Sequence, residues 1–350
     1  MAAAYDYDPF PDEHLTSNYS LPQFDWASTG SEVVDVFKDR VKNRIVVITG
    51  PASGSIGGST VFSLASAFPS IIVLVSRSLS VGPVIDAIRF RYGENAPIIH
   101  FVSCDLSSQP SVREAAANIS RLVPRIDILI NNAATPPGPY QESGEGIELQ
   151  FATNHVGHFL LTNLLMPRIL NGPRAVDSPK PRIVTVSSSA HNHCFHSPVE
   201  NYNFSDGIIN GALYDPRSAH IQSKAANVLF ARGLARKLAH RDVLSFSVHP
   251  GSIETGFQDR IHAPITEQAE GARVTEARAM QRAKRKTVDQ GCATILVASL
   301  DPRIEASTGG YLEDGKVVED GLAGVMDRDE EAERLWQLSE ILVGQSFDWS

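Results

Sequence analysis

Short apolar segments alternate with longer helix-forming segments from residue 44 onward. The apolar segments are rich in Val and Ile and are continuously apolar, which is typical of strands covered by helices on both faces. They lie at residues 44–49, 71–76, 98–103, 127–130, 182–187 and 243–248, with helix-length segments at 59–68, 111–122, 144–169 and 218–239. This order predicts an α/β fold in which a doubly wound parallel sheet forms a single domain.

Three regions depart from this alternation. Residues 1–28 are rich in Pro, Asp, Ser and aromatic residues without periodicity, so we predict an N-terminal arm that is extended on the surface or disordered. A capping box, Thr29-Gly-Ser-Glu32, then begins a helix and the domain, residues 29–345. Residues 189–217 and 252–290 follow the ends of strands, where such sheets bind ligands. We predict that they form a substrate loop and a lid.

Charge and composition limit the partners. The chain has 40 acidic and 31 basic residues and a net charge of −9, which argues against a nucleic-acid partner. No apolar run approaches the roughly 18 residues of a membrane span. The N-terminus does not resemble a secretion signal, and the three cysteines lie far apart without metal-binding or disulfide spacing. We therefore predict a cytoplasmic protein whose partner is a small-molecule substrate.

The loop after the first strand is rich in glycine and opens a helix. Residues 49–58 read TGPASGSIGG. Glycine lets a backbone turn tightly and approach a pyrophosphate, and a helix N-terminus supplies free N–H groups. A plain turn between a strand and a helix would also use glycine. The position of the loop nevertheless favours a dinucleotide site, formed by Gly50, Ser53, Ser55, Ile56 and Gly57.

The loop and the segments that follow it resemble the short-chain dehydrogenase/reductase family, a Rossmann-fold family, and in particular its fungal-type and retinol-dehydrogenase-like members. The family loop reads T-G-x-x-x-G-x-G, and the last glycine stands one place later here, at Gly57. The resemblance implies that further motifs contact the cofactor. These are Asp105-Leu106 at the adenine ring, Asn132 and Ala133 in Asn131-Asn132-Ala133-Ala134 beside the cofactor, and Pro250, Gly251, Ile253 and Thr255 near the nicotinamide amide.

Arg77 stands at the end of the second strand, within Ser76-Arg77-Ser78. An acidic residue there would bind the ribose 2′-hydroxyl of NAD, whereas an arginine can pair with a 2′-phosphate through charge-assisted hydrogen bonds. A solvated surface arginine is the alternative. The residue favours NADP(H) as the cofactor.

The resemblance also implies a reaction centre of Asn, Ser, Tyr and Lys. The Asn, Ser and Lys match Asn154, Ser188 and Lys224, but His220 stands at the tyrosine position. In the family the lysine holds the nicotinamide ribose and lowers the phenol pKa, the tyrosine transfers a proton, the serine polarises the substrate oxygen and the asparagine holds a relay water. The spacing of four places His220 and Lys224 on one helix face.

The histidine changes the proton chemistry. Its unperturbed pKa is near 6.5, so it can act as acid or base near neutrality. It is shorter than a phenol, and a nearby Lys224 cation favours the neutral imidazole, which is a usable base but a poor proton donor. His220 could instead be a drifted residue in an inactive site. Tyr214 could supply the phenol in place of His220, but helical geometry points its side chain to a different face.

Other histidines lie near these motifs: His191, His193 and His196 follow Ser188, and His155 and His158 flank Asn154. A metal site formed by the first three has no supporting carboxylate or cysteine constellation beyond Cys194. We predict that they line the pocket or are exposed, and that no metal is bound.

Three functions remain open. The first is an NADP(H)-dependent oxidoreductase acting on a hydroxyl or carbonyl group of an apolar small molecule, with His220 in the role of the tyrosine. The second is a non-redox isomerase, dehydratase or cyclase that uses His220 as a base, and the third is a non-catalytic protein of the same fold. The family resemblance favours the first, suggests specialised (secondary) metabolism, and implies a homodimer or homotetramer.

Overall fold

The computed structural model describes most of the chain. The described residues are 21–172, 175, 177–194, 199, 203, 208–209, 212–253, 285–318 and 328–349. The predicted substrate loop and lid are therefore only partly described, and the first 20 residues of the predicted arm lie outside the described residues.

The strands form one large sheet and one small hairpin. They are β1 (Ile45–Thr49), β2 (Ile71–Ser76), β3 (Ile98–Ser103), β4 (Ile128–Asn131), β5 (Arg182–Val186), β6 (Ile208–Ile209), β7 (Ala212–Leu213), β8 (Leu244–His249), β9 (Tyr311–Glu313) and β10 (Lys316–Val318). The large sheet has the order β10-β9-β8-β5-β4-β1-β2-β3, and β6 pairs with β7. All neighbours in the large sheet are parallel except β9 and β10.

Helices cover both faces of the sheet. They are α1 (Gly30–Val36), α2 (Ile56–Ala65), α3 (Gly82–Tyr92), α4 (Gln109–Leu122), α5 (Leu149–Phe151), α6 (Gly157–Leu170), α7 (Pro216–Lys237), α8 (Val288–Leu300) and α9 (Arg328–Val343). The chain passes from α5 into α6 through a π-helical turn, Ala152–Val156. One apolar core joins α4, α6, α7 and α9 to one face, and a second joins α1, α2, α3 and α8 to the other. The predicted doubly wound single domain is confirmed.

The observed elements differ from the predicted ones in several places. The sequence pattern misses β6, β7, β9 and β10, because strands of two or three residues are too short to show a periodicity. The predicted helix at 144–169 begins only at Leu149, because a turn in which Gly146 has a φ of +73° precedes it. It is also interrupted by the π-helical turn.

The capping box predicted at Thr29 and Glu32 is present at the start of α1. The Thr29 side chain accepts a hydrogen bond from the Glu32 amide, and the Glu32 carboxylate accepts one from the Thr29 amide. The described end of the predicted arm, residues 21–28, packs on the domain through Phe24, whose buried ring lies 5.9 Å from that of Phe37. The helices of the described residues include none with the length and apolarity to cross a membrane.

Candidate active site

The order of the strands places a crevice at the carboxyl ends of β1 and β4. β1 lies between β2 and β4, so the chain leaves the sheet in opposite directions on either side of this point, where doubly wound sheets bind their ligands. A cavity of about 550 Å³ opens here, a volume within the range of small-molecule and cofactor sites.

Most of the predicted site residues line this cavity. They are Gly50, Ser53, Ser55, Ile56, Gly57, Arg77, Leu106, Asn132, Ala133, Ser188, His220, Lys224, Pro250, Gly251 and Ile253. Two predicted residues lie outside it. The Asp105 carboxylate accepts hydrogen bonds from the amide and hydroxyl of Ser107, and Asn154 is fully buried behind the wall. Thr255 lies outside the described residues.

The glycine-rich loop is shaped by close backbone contacts. Gly50 has a φ of +67°, and a Cβ atom there would lie 2.8 Å from the Ala133 Cα. A Cβ atom at Gly57 would lie 2.5 Å from Asn132 Nδ2. Ser55 caps α2, because its Oγ accepts a hydrogen bond from the Gly58 amide at 3.1 Å. The close contacts at Gly50 and Gly57 leave room only for glycine. The first turn of α2 borders the cavity with its free N–H groups.

The segment after β4 supports this loop from behind. Thr49 Oγ1 accepts hydrogen bonds from the amides of Asn132 and Ala133, each at 2.9 Å. Asn132 Nδ2 donates to the carbonyl oxygens of Thr49 at 2.8 Å and Gly50 at 3.2 Å. The loop is therefore fixed in the shape of a cradle, which fits the pyrophosphate of a dinucleotide.

His220 and Lys224 enter the cavity from α7. Both are buried, and Lys224 Nζ donates to the Val186 carbonyl oxygen at 3.1 Å. Burial lowers the pKa of Lys224 to about 8. Burial, and to a lesser extent the Lys224 cation, lowers the pKa of His220 to about 3. At neutral pH His220 is therefore an uncharged imidazole beside a mainly charged lysine.

Ser188 follows β5 and lies at the cavity wall, where its Oγ accepts a hydrogen bond from the Ala190 amide at 3.2 Å. Asn154 lies in the π-helical turn and uses both ends of its side-chain amide within the protein. Its Oδ1 accepts from the Thr135 amide at 2.8 Å, and its Nδ2 donates to Ser223 Oγ at 3.0 Å. Asn154 therefore joins the segment after β4 to α7.

Tyr214 lies outside the cavity lining. Its hydroxyl donates to Glu148 Oε1 and accepts from Gln150 Nε2, both at 2.9 Å. Burial and the neighbouring Glu148 carboxylate raise the pKa of Tyr214 above its usual value. This phenol is a hydrogen-bond donor to a carboxylate and poorly suited to proton transfer in the cavity.

The other histidines are placed differently. His155 is buried in the π-helical turn and His158 just after it. His191 is buried with its Nδ1 2.6 Å from the Ser188 carbonyl oxygen. His193 is exposed, and His196 lies outside the described residues. The described part of the chain contains no group of three or more His, Cys, Asp or Glu residues arranged to hold a metal ion.

Several further residues, which the sequence motifs do not single out, also border the cavity. They are Val75, Ser76, Ser78, Ser80, Cys104, Ala134, Pro136, Thr153, Val186, Ser187 and His249. Two signals were available: Ser78 and Ser80 adjoin Arg77, and His249 directly precedes Pro250. Burial, and then the Lys286 cation, lowers the pKa of His249 to about 4, so a second neutral imidazole lies in this site.

The fold and cavity define a dinucleotide-binding α/β domain, and comparison with known proteins assigns its family. A sequence profile described as short chain dehydrogenase matches residues 44–199. Short-chain dehydrogenase TIC 32 A, chloroplastic, of Brassica napus is 32% identical over 325 residues, covering 91% of this chain and 93% of the relative. The chain belongs to the short-chain dehydrogenase/reductase family, whose members are oxidoreductases that bind nicotinamide cofactors.

Two further comparisons agree with this assignment. Human retinol dehydrogenase 14 is 35% identical over 240 residues, covering 69% of this chain but only 65% of the relative. The matched region thus spans about two thirds of that relative. A solved structure of a protein from Mycobacterium Paratuberculosis has a TM-score of 0.61 and 28% identity, and the match covers 87% of this chain and 95% of that one.

Proposed function

We propose that the protein is an NADP(H)-dependent oxidoreductase that acts on a hydroxyl or carbonyl group of an apolar small molecule, with His220 as the proton-transfer residue. One observation carries this proposal: a single cavity brings His220, Lys224 and Ser188 together with the glycine-rich loop and Arg77. The first group of residues suits proton transfer at a substrate oxygen, and the second suits a phosphorylated dinucleotide.

The outer end of the cavity supports the choice of NADP(H). Arg77 is exposed at the cavity edge beyond β2, with Ser78 and Ser80 beside it. Ser78 Oγ donates to Ser80 Oγ at 3.1 Å. A guanidinium group and neighbouring hydroxyls are donors that suit a 2′-phosphate. These residues would hold the adenosine end, and the first turn of α2 would hold the pyrophosphate.

The reaction centre suits removal of a proton from an alcohol. A bound nicotinamide would supply or accept the hydride. Ser188 would hold the substrate oxygen by a hydrogen bond, and neutral His220 would take the hydroxyl proton as a general base. Charged Lys224 would stabilise negative charge developing on that oxygen. Because His220 lacks the second, acidic proton of an imidazolium at neutral pH, we infer that alcohol oxidation is favoured over carbonyl reduction.

The substrate class rests on the character of the cavity and on a relative. Pro136, Val186 and Ile253 give the reaction end an apolar surface beside its few polar groups. One relative is named for retinol, an apolar alcohol. Both support an apolar hydroxyl compound. The cytoplasmic location, the role in specialised metabolism and the homodimer or homotetramer stay predictions.

The first test is cofactor binding followed by nicotinamide fluorescence. We expect wild-type protein to bind NADPH more tightly than NADH, and Arg77→Ala to lose most of that difference, because one charge-assisted contact contributes about 1.5–3 kcal/mol. Arg89→Ala, an exposed arginine on α3 outside the cavity, is the matched control. Equal affinity of wild type for both dinucleotides would refute the NADP(H) assignment.

The second test is turnover of a panel of apolar alcohols with NADP⁺. We expect His220→Ala to lower kcat by about 100-fold or more, since general-base catalysis typically contributes 10² to 10⁴. Unchanged thermal stability and NADPH affinity would assign the loss to chemistry. A wild-type enzyme that converts no member of the panel while binding NADPH would contradict the redox assignment.

The neutral state of His220 also favours a second candidate. An isomerase, dehydratase or cyclase needs a base and no hydride transfer, and an uncharged imidazole beside a serine hydroxyl can provide it. Product formation without any change in nicotinamide absorbance would support this function. Stoichiometric reduction of NADP⁺ would exclude it.

A further inference from the structure

His158 lies at the start of α6 and connects two parts of the candidate site. It is 1% exposed and makes no contribution to the cavity surface. Its Nδ1 lies 3.0 Å from the backbone carbonyl oxygen of Asn154, and its Nε2 lies 2.8 Å from Thr49 Oγ1. The side chain therefore spans the distance between the π-helical turn and the end of β1, from which the glycine-rich loop departs.

The chemistry of the partners fixes the direction of each hydrogen bond. The Asn154 carbonyl oxygen can only accept, so His158 Nδ1 carries the hydrogen. Nε2 of a neutral ring is then an acceptor, and it takes the Thr49 hydroxyl hydrogen. Thr49 Oγ1 in turn accepts from the amides of Asn132 and Ala133. A directed chain thus runs from these two amides through Thr49 and His158 to Asn154.

A second set of contacts extends the chain to α7. The Asn154 side chain binds the Thr135 amide and Ser223 Oγ. Ser223 Oγ also donates to the carbonyl oxygen of His220 at 2.8 Å. The residue that replaces the family tyrosine is therefore on a helix that is joined, through Asn154 and His158, to the loop that would hold the cofactor.

This contact lies at a π turn. In the turn Ala152–Val156 the backbone pairing shifts from i→i+4 to i→i+5. The His158 imidazole supplies a donor to Asn154 from four residues along the chain. An aliphatic residue at 158 would leave the Asn154 carbonyl without this donor and the Thr49 hydroxyl without its acceptor.

We propose that His158 is a positioning residue that holds the cofactor loop and the Asn154 turn in register, through a neutral imidazole protonated at Nδ1. The inference rests on the proposed function, since the loop that it positions is taken to bind the dinucleotide. His158 touches neither substrate nor cofactor and acts only through Thr49 and Asn154. Burial favours the neutral ring, and it lowers the pKa of His158 to about 4.

His155 provides a matched control. It is also a fully buried histidine, and it lies three residues earlier, in the π-helical turn itself. Its Nε2 lies 2.8 Å from Ser339 Oγ in α9, on the side away from the cofactor loop. Replacing either histidine by leucine removes one buried imidazole, but only the His158 variant breaks the chain to Thr49.

The experiment compares His158→Leu with His155→Leu in the full-length protein. NADPH affinity is measured by fluorescence at a temperature where both variants are folded, and amide exchange of the segment 131–135 is measured by mass spectrometry. We expect His158→Leu to weaken NADPH binding about tenfold or more and to speed exchange at Asn132 and Ala133. We expect His155→Leu to lower thermal stability and leave both quantities unchanged. Equal effects of the two variants would overturn the inference.

A third measurement is made on folded wild-type protein and uses one variant only for assignment. In ¹⁵N-histidine-labelled protein, the His158 signals are assigned by their loss in His158→Asn. We expect a neutral ring protonated at Nδ1 from pH 8 down to pH 5. An Nε2-protonated ring, or a ring that titrates near pH 6.5, would contradict the inference. Wild-type protein that binds no dinucleotide would refute the proposed function, whereas the tautomer and the exchange at Asn132 and Ala133 would still decide the inference.

Discussion

Tyr214 donates its hydroxyl hydrogen to Glu148 Oε1 over 2.9 Å, and this contact holds the phenol away from the candidate reaction centre. Glu148 also accepts a hydrogen bond from the Phe151 amide through its Oε2, at 2.7 Å. Tyr214 is thus part of the structure that begins α5. The proposed function therefore assigns proton transfer in the cavity to His220, with Lys224 beside it.

The role of Tyr214 can be tested by removing its hydroxyl. We expect Tyr214→Phe to retain NADPH affinity and turnover within about twofold, and to lose about 1–2 kcal/mol of unfolding free energy, because the Glu148 carboxylate loses a buried donor. Urea denaturation and steady-state kinetics measure the two quantities. A loss of turnover as large as that of His220→Ala, with stability unchanged, would instead assign the proton transfer to Tyr214.

The shifted glycine of the loop gives a second prediction. We expect Gly57→Ala to weaken dinucleotide binding by about 100-fold, because its Cβ atom would lie 2.5 Å from Asn132 Nδ2 and 2.8 Å from the Gly50 carbonyl oxygen. Gly82→Ala, at the start of α3, is the control, since nothing lies within 4 Å of the added Cβ atom. Fluorescence titration of both variants measures the effect. Wild-type affinity in Gly57→Ala would show that the loop is not held in the described shape.

Stability is expected to fall in acid because buried histidines must be protonated. Burial lowers the pKa values of His155 and His220 to about 3 and those of His158 and His249 to about 4. Their folded values lie below the unfolded value near 6.5, so the unfolded chain binds more protons as the pH falls below 6.5. The contribution of these histidines to the unfolding free energy is fully present above pH 6.5 and is lost progressively down to their folded pKa values of about 4 and about 3.

The slope of the unfolding free energy against pH can be assigned to individual residues. Each buried histidine adds at most about 1.4 kcal/mol per pH unit to the slope. We expect His155→Phe to reduce this slope between pH 6 and 4.5 by the amount that corresponds to about one proton. The new ring would stay among Phe151, Phe159 and Phe230. His240→Gln, at an exposed position, should leave the slope unchanged. Urea denaturation as a function of pH measures the slope, and equal slopes in wild type and His155→Phe would contradict the prediction.

A buried ion pair beside the Pro250-Gly251 segment gives an asymmetric prediction. Lys286 Nζ donates to Asp314 Oδ1 at 2.6 Å, with side-chain exposures of 1% and 38%. Removing the carboxylate leaves a buried cation, whereas removing the cation leaves a carboxylate that water reaches. We expect Asp314→Asn to cost about 3 kcal/mol and Lys286→Met to cost less. Asparagine tolerates the Asp314 φ of +49°, so backbone strain does not explain the difference.

Chemical denaturation of the two variants checks this order. Asp86→Asn, at an exposed position of α3, controls for removing a surface carboxylate that is not paired with Lys286. A larger cost for Lys286→Met than for Asp314→Asn would contradict the prediction, because methionine keeps most of the aliphatic packing of Lys286 against Gly251.

The sequence by itself determined the sheet, the order of its six long parallel strands along the chain and most residues of the cavity. These are properties of local patterns: a run such as Ile71–Ser76 shows its burial in its own composition, and a glycine-rich turn between a strand and a helix indicates a phosphate site. The spacing of His220 and Lys224 likewise places them on one helix face without knowledge of the fold.

Only the tertiary structure decided how these parts are joined. It buries Asn154 behind the cavity wall, ties Tyr214 to Glu148, adds β9 and β10 to the sheet, and bonds His158 to Thr49, 109 residues earlier in the chain. It also lowers the pKa of His220 through burial. Each of these depends on contacts between residues distant in the chain, and neither a local periodicity nor a motif contains that distance information. The physical character of the reaction centre is therefore a property of the fold.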